Sequence, residues 1–256
     1  MAQFGFGSGV VFGTPLTDAT GAAIANGTPQ RFGILQDISV DFTFTNKELH
    51  GQYQFPVAIG RGQGKIQGKA KFGQFNGGII NGLFFGQTLV VGQTLISDKE
   101  SLTITTGSGT AANGTTFKDD LGVIYKATGL PLTKVASAPS VAGEYSVTNA
   151  GVYSFYASDT NAATGNILIS YSYAGVTTGT TASSVSIANE LMGYAPSFKA
   201  ELYVPYAGKQ LVMTLNSCIG SKLNFATKLD DFLIPEFDFE AFADASGTIG
   251  TLNFAE

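Results

Sequence analysis

The chain has 256 residues and a net charge of −5, and only 13% of its residues are charged, about half the usual share. No basic surplus supports a sequence-wide grip on nucleic acid, which leaves only transient passage of DNA open, and no apolar run approaches the ~18 residues that span a membrane. One cysteine, Cys218, excludes an internal disulfide.

Hydrophobic residues make up 44% of the chain, with Gly 33, Phe 20, Tyr 10 and no Trp, a composition of strands and turns rather than of a disordered polymer. So little charge predicts that neighbours cover part of the surface. The opening stretch, MAQFGFGSGVVFGTPLTD, has no basic region and no unbroken apolar core. It does not read as a signal peptide, so synthesis in the cytoplasm is expected.

Residues 1–32 are rich in Gly, Ala and Thr, with Phe4, Phe6 and Phe12 among glycines; they read as an N-terminal arm that packs on something. In DISVDFTFTN, Ile38, Val40, Phe42 and Phe44 alternate with Ser39, Asp41, Thr43 and Thr45, the period of a half-buried strand. KIQGKAKF alternates Ile66, Gly68, Ala70 and Phe72 with Lys65, Gln67, Lys69 and Lys71. The spacing of Phe75, Ile79 and Leu83 predicts one short helix. ESLTITTGSGTAANGTTFKDDLGVIYKATG reads as a strand, a flexible loop and a second strand, with a long loop excursion around 105–140, and the polar stretch 105–118 is expected to order only on assembly. GEYSV, GVYSFYA and NILISYSYAG are aromatic-rich strands. A helical turn is expected near Asn189–Met192. SFKAELYVPY, KQLVMTLNSC and KLNFATKL are three further strands. The expected fold is mainly β, a β-sandwich or half-barrel with one short flanking α-helix. It is read as a single domain over 33–256.

Chemical motifs fail on spacing. In GRGQGK only three residues separate Gly60 from Gly64, and Ile66 follows the lysine where a phosphate-binding loop needs Ser or Thr. His50 is the only histidine and Cys218 the only cysteine, so neither a two-histidine metal site nor a cysteine zinc site can form. No G-x-S-x-G supports a nucleophile. No cofactor, metal or catalytic residue is expected. The sequons at Asn26 and Asn113 carry meaning only in a secreted chain.

KLDDFLIPEFDFEAFAD, residues 228–244, holds six acids and four phenylalanines. Glu236, Asp238 and Glu240 alternate with Phe237 and Phe239, so an extended chain puts carboxylates on one face and phenyl rings on the other. A glycosidase pair drawn from these acids is one reading; a two-sided strand explains the pattern without a catalyst. Basic residues Lys47, Arg61, Lys65, Lys69 and Lys71 cluster in the N-terminal half. Together with Asp230, Asp231, Glu236, Asp238 and Glu240 they suit a head-to-tail contact between copies. Pairing of both clusters inside one subunit fits the sequence equally well.

Several stretches in order resemble the major tail (tail tube) proteins of long-tailed, flexible-tailed bacteriophages. They are 38–86, DDLGVIYKATGLPLTKVA, GEYSVTNAGVYSFYASD followed by ILISYSY, NELMGYAPSFKAELY, and KLDDFLIPEFDFEAFADASGTIGTL. The resemblance implies a structural virion protein with no active site, made in the host cytoplasm. It implies homohexameric rings stacked into a hollow tube that encloses a tape-measure protein, meets tail-terminator and distal-tail proteins, and conducts DNA through an acidic lumen without binding it. A carbohydrate-binding β-sandwich using the Tyr-rich strands is the alternative.

Overall fold

The computed structural model describes residues 7–74, 76–175 and 182–254. Phe4, Phe6 and Phe75 lie outside them. In chain order the strands are β1 (Val10–Pro15), β2 (Gln30–Arg31), β3 (Leu35–His50) and β4 (Pro56–Phe72), then helix α1 (Gly77–Ile80), which continues as a π-turn over Asn81–Phe85. Next come β5 (Val90–Val91), β6 (Thr94–Ser101), β7 (Ser108–Thr110), β8 (Phe117–Tyr125), β9 (Thr133–Lys134), β10 (Glu144–Val147), β11 (Val152–Phe155), β12 (Ile167–Ala174) and β13 (Ser183–Ser184). The last four are β14 (Ser197–Tyr206), β15 (Lys209–Asn224), β16 (Glu236–Phe242) and β17 (Gly250–Asn253). The fold is mainly β and sandwich-like, with one short α-helix.

Where the sequence reads one domain over 33–256, the contacts divide the chain into two compact units: Met1–Leu89 with Val185–Glu256, and Val90–Ser184. In the first unit the sheet order is β2-β1-β14-β15-β16-β4-β3, with β17 also paired to β15. Its apolar face buries Phe198, Phe237, Phe239, Ala70, Val11 and Leu215. The sheet curls, because Val11 near one edge and Ile38 and Val40 at the other pack on this same core. Phe239 lies so close over Gly68 that a Cβ there has no room, which is why the lysine-rich strand carries a glycine at that point. Each buried phenyl contributes about 1.5–3 kcal/mol.

Of the expected arm over 1–32, the described residues 7–32 supply β1 to the sheet and bury Val11, Ala19 and Phe32. The expected helix forms over 77–80. Asn76 caps it by accepting from the Gly78 N–H at 2.8 Å, Ile79 and Leu83 are buried, and Gly86 ends it at a φ of 61°. The strands expected over 209–218 and 222–229 are instead one strand, β15, ending at Asn224. Its glycine-serine stretch makes a bulge between Gly220 and Lys222 and not a break. No helical turn forms at 189–192: Leu191 and Met192 are exposed, and a turn that buries no apolar face gains nothing to offset nucleation.

The second unit packs a three-stranded sheet (β6-β12-β8) and a four-stranded sheet (β7-β11-β10-β9) on one core. The supposed excursion at 105–140 thus contains β7, β8 and β9. Strands β5 and β13 pair antiparallel where this unit begins and ends. Its core is aromatic and partly polar. The Asp120 side chain is only 3% exposed; it accepts from the Tyr145 and Tyr153 hydroxyls at 2.7 and 3.1 Å and meets Lys134 at 3.1 Å. Tyr171 donates to Glu100 at 2.6 Å. Burial, reinforced by the Asp120 carboxylate, pushes the Tyr145 and Tyr153 phenols well above their usual range.

A fragment spanning 90–184 is expected to fold alone, with a cooperative thermal melt and dispersed amide resonances. In it, Asp120→Ala strands two tyrosine hydroxyls and is expected to cost about 3 kcal/mol, measured by urea denaturation. A fragment that melts without cooperativity would contradict the division.

Candidate assembly surfaces

Strand β16 is extended, so its side chains alternate. Phe237 and Phe239 go into the core, while Glu236, Asp238 and Glu240 stand on the opposite face. Register then sets their neighbours. On β4, Glu236 pairs with Lys71, Asp238 with Lys69 and Glu240 with Gln67. On β15, Asp238 pairs with Lys222.

Of the residues expected at an interface, the structure brings six together on this face within a single chain: Lys65, Lys69, Lys71, Glu236, Asp238 and Glu240. Lys65 meets Glu240 at 2.8 Å. Glu236 contacts Lys69 directly, Lys222 at 3.1 Å and Lys71 at 3.9 Å. The hydrogen bond from Lys69, then that from Lys222, holds the Glu236 carboxyl down to about 2, and Glu236 in turn raises Lys69. The attraction between basic and acidic clusters is therefore satisfied inside the subunit, so the reason for expecting it across a subunit boundary falls away. Asp230 and Asp231 sit apart in the loop before β16, where Asp231 lies 3.6 Å from Lys228. Asp244, also outside this face, accepts from Ser246 and Thr248 and holds a turn.

Lys222 was missed because β15 was read as two strands. A carboxyl held near 2 is the reverse of what a general acid needs, so Glu236 does not fit the acid half of a glycosidase pair. Among the described residues no group of three or more His, Cys, Asp or Glu is arranged to hold a metal. Tyr145, Tyr153 and Tyr171, which suggested stacking on sugars, are buried in the second unit's core.

The open surfaces lie elsewhere on the first unit. Strand β4 is paired to β16 only over 66–71, yet it continues with β3 back to His50 and Pro56. The outer half of this hairpin is a two-stranded ribbon. It exposes Phe44, Leu49, Val57 and Ile59, and at the tip Tyr53 and Phe55, which are 75% and 80% exposed. Arg61 covers only the face of Phe44, at 4.1 Å. Strand β3 ends the sheet, and among the described residues no strand pairs with its other edge. A second apolar opening, a groove of about 220 Å³, lies between Phe42 and Ile66 on one side and Met213, Leu215, Ile249 and Leu252 on the other. The loops at 187–194 and 228–232 expose Ile187, Met192, Leu229 and Phe232. Among the described residues no helix is long and apolar enough to cross a membrane. No protein-family model matches the chain, and no curated protein matches it.

The Glu236 contact predicts acid sensitivity. Its folded pKa lies below its ordinary value, so the contribution is full above about pH 4.5 and lost as pH falls toward 2. Glu236→Gln should lower the melting temperature at neutral pH and narrow the difference from the parent chain across that window. A constant difference from pH 6 to 2 would contradict the assignment, with thermal melts at stepped pH as the measurement.

Proposed function

We propose that the chain is a structural protein that polymerises edge to edge and ring on ring, as expected of a phage tail tube. On this reading the virion tail is its location. Identical subunits, a tape-measure protein, and tail-terminator and distal-tail proteins are its partners, and DNA passes without specific binding. It has no catalytic role.

The observation that carries the reading is the projecting β3–β4 ribbon. A two-stranded ribbon with apolar residues exposed along it is marginal in water, and a long uncovered edge invites pairing with another chain. Both costs disappear when a second copy supplies the missing strand and covers the side chains. Pairing of the β3 edge with a different edge of the next copy is heterologous, unlike β3-to-β3 pairing, which stops at a dimer, and heterologous contacts close into rings or extend as filaments. The low charge content agrees: with so few charged residues, repulsion between copies is small.

The test is assembly itself. Negative-stain microscopy and light scattering over a concentration series should show rings or tubes. Tyr53→Ala with Phe55→Ala should raise the critical concentration at least tenfold while leaving the melting temperature of the free subunit unchanged, since both side chains are exposed. A chain that remains monomeric at every concentration and salt tested would overturn the reading.

A further inference from the structure

Strand β16 pairs with β15 down to Phe242 opposite Ser217, and β17 takes up the same side of β15 at Gly250 opposite Leu215, running on to Asn253. After the Asp244 turn, β17 thus continues the line of β16. The far side of this line is not continuous. β4 pairs with β16 as far as Ile66 opposite Ala241, and among the described residues no strand pairs with the corresponding edge of β17. The sheet splits here. The apolar groove of about 220 Å³ lies in the split, between Phe42 and Ile66 on the ribbon side and Met213, Leu215, Ile249 and Leu252 on the other. We propose that this groove is the seat for the ribbon tip of a second copy, with Phe55 as the side chain that enters it. The proposal rests on the assembly reading above and adds the acceptor for the projecting ribbon.

Size and chemistry select the occupant. An apolar cavity of about 150 Å³ holds a benzene, so the groove has room for a phenyl ring. Its described lining carries no charge, and its only hydroxyls are those of Thr214 and Thr251; a charged side chain entering it would lose hydration without gaining a partner. The exposed loops at 187–194 and 228–232 carry Glu190, and Lys228, Asp230 and Asp231, beside their apolar residues. The tip, residues 51–57, reads GQYQFPV and carries no charge. Of its two aromatic residues, Phe55 brings no hydroxyl that needs a partner, whereas Tyr53 suits the rim. Pro56 restricts the backbone of Phe55, so seating that ring costs less ordering. The occupant is not the chain's own tip. Phe42 lines the groove, and the paired ribbon runs eight residues further, to His50, roughly 26 Å of strand at ~3.3 Å per residue. Seat and anchor are therefore different patches of one molecule, and each copy gives its tip to one neighbour and takes a tip from another.

The test uses the full chain. Phe55→Ala should raise the critical concentration at least tenfold, the loss typical of an aromatic anchor, while Tyr53→Ala changes it little. Leu252→Trp, which fills the groove from its exposed rim, should raise it as much, and adding Phe55→Ala to it should cost nothing further. Melting temperatures of the free variants should match the parent. Additive effects, or a Phe55→Ala chain that assembles like the parent, would overturn the proposal. So would a Leu252→Trp that lowers the melting temperature and leaves assembly unchanged, because a segment of the same chain would then fill the groove. A second arm keeps Phe55 and Leu252 in place. Assembled Gln54→Cys, Thr251→Cys, treated with a short bismaleimide and quenched, should give a ladder of covalent multimers on a denaturing gel. Cys218 is buried, and each single variant should run as a monomer. Dimers from Gln54→Cys alone would mean that tip meets tip, and assemblies without a ladder would mean that the tip lies elsewhere. Either overturns the seat and leaves assembly standing. A parent chain that never assembles overturns the assembly reading and the seat with it.

Discussion

Strand β16 fixes the first unit, because its two faces have opposite requirements. Phe237 and Phe239 must reach the core shared with Phe198 and Phe32, while Glu236, Asp238 and Glu240 must not. A slip of one residue against β4 would bury three carboxylates and expose two phenyl rings, so the register is pinned from both sides. The same constraint dictates the neighbouring strands: Gly68 has no side chain because Phe239 occupies its space, and lysines stand on β4 and β15 where the acids need partners.

From this fixed centre the sheet outruns its support. β16 covers β4 over six register positions, whereas the hairpin continues for the rest of a sixteen-residue and a seventeen-residue strand. Among the described residues the surplus length is unpaired on its outer side, and it is apolar at its tip. Among the described residues no other strand of the first unit pairs with that length, which is why a second copy is the natural complement. The second unit follows a different logic. Its strands are short, its core is held by tyrosine hydroxyls donated to buried carboxylates, and its ends are joined by the β5–β13 pair.

Much of the first unit was legible because its signals are local. The alternation of Ile38, Val40, Phe42 and Phe44, and that of the phenylalanines and acids over 236–240, needs no knowledge of distant residues. The helix around Ile79 and Leu83 was legible from spacing alone. The pairing of Lys65 and Lys69 with Glu240 and Glu236 was not, since it depends on a register between segments some 170 residues apart in sequence that no local pattern encodes. Lys222 was hidden by a glycine bulge that looks like a turn. The second unit was read as strands interrupted by a loop because Gly, Ser and Thr mark both flexible linkers and the tight turns between short strands. The inward direction of the tyrosine hydroxyls leaves no trace in composition.

The central claim is that the ribbon's free edge is completed by another copy. Hydrogen exchange of residues 36–50, compared between dilute subunit and assembled material, tests it most directly. Backbone amides on the outer edge of β3 exchange freely when unpaired and slowly when hydrogen-bonded to a neighbouring strand. The account predicts rapid exchange at alternate positions of β3 in the subunit and strong protection of those same amides in the assembly. Assemblies in which β3 exchanges as fast as in the free subunit would contradict it.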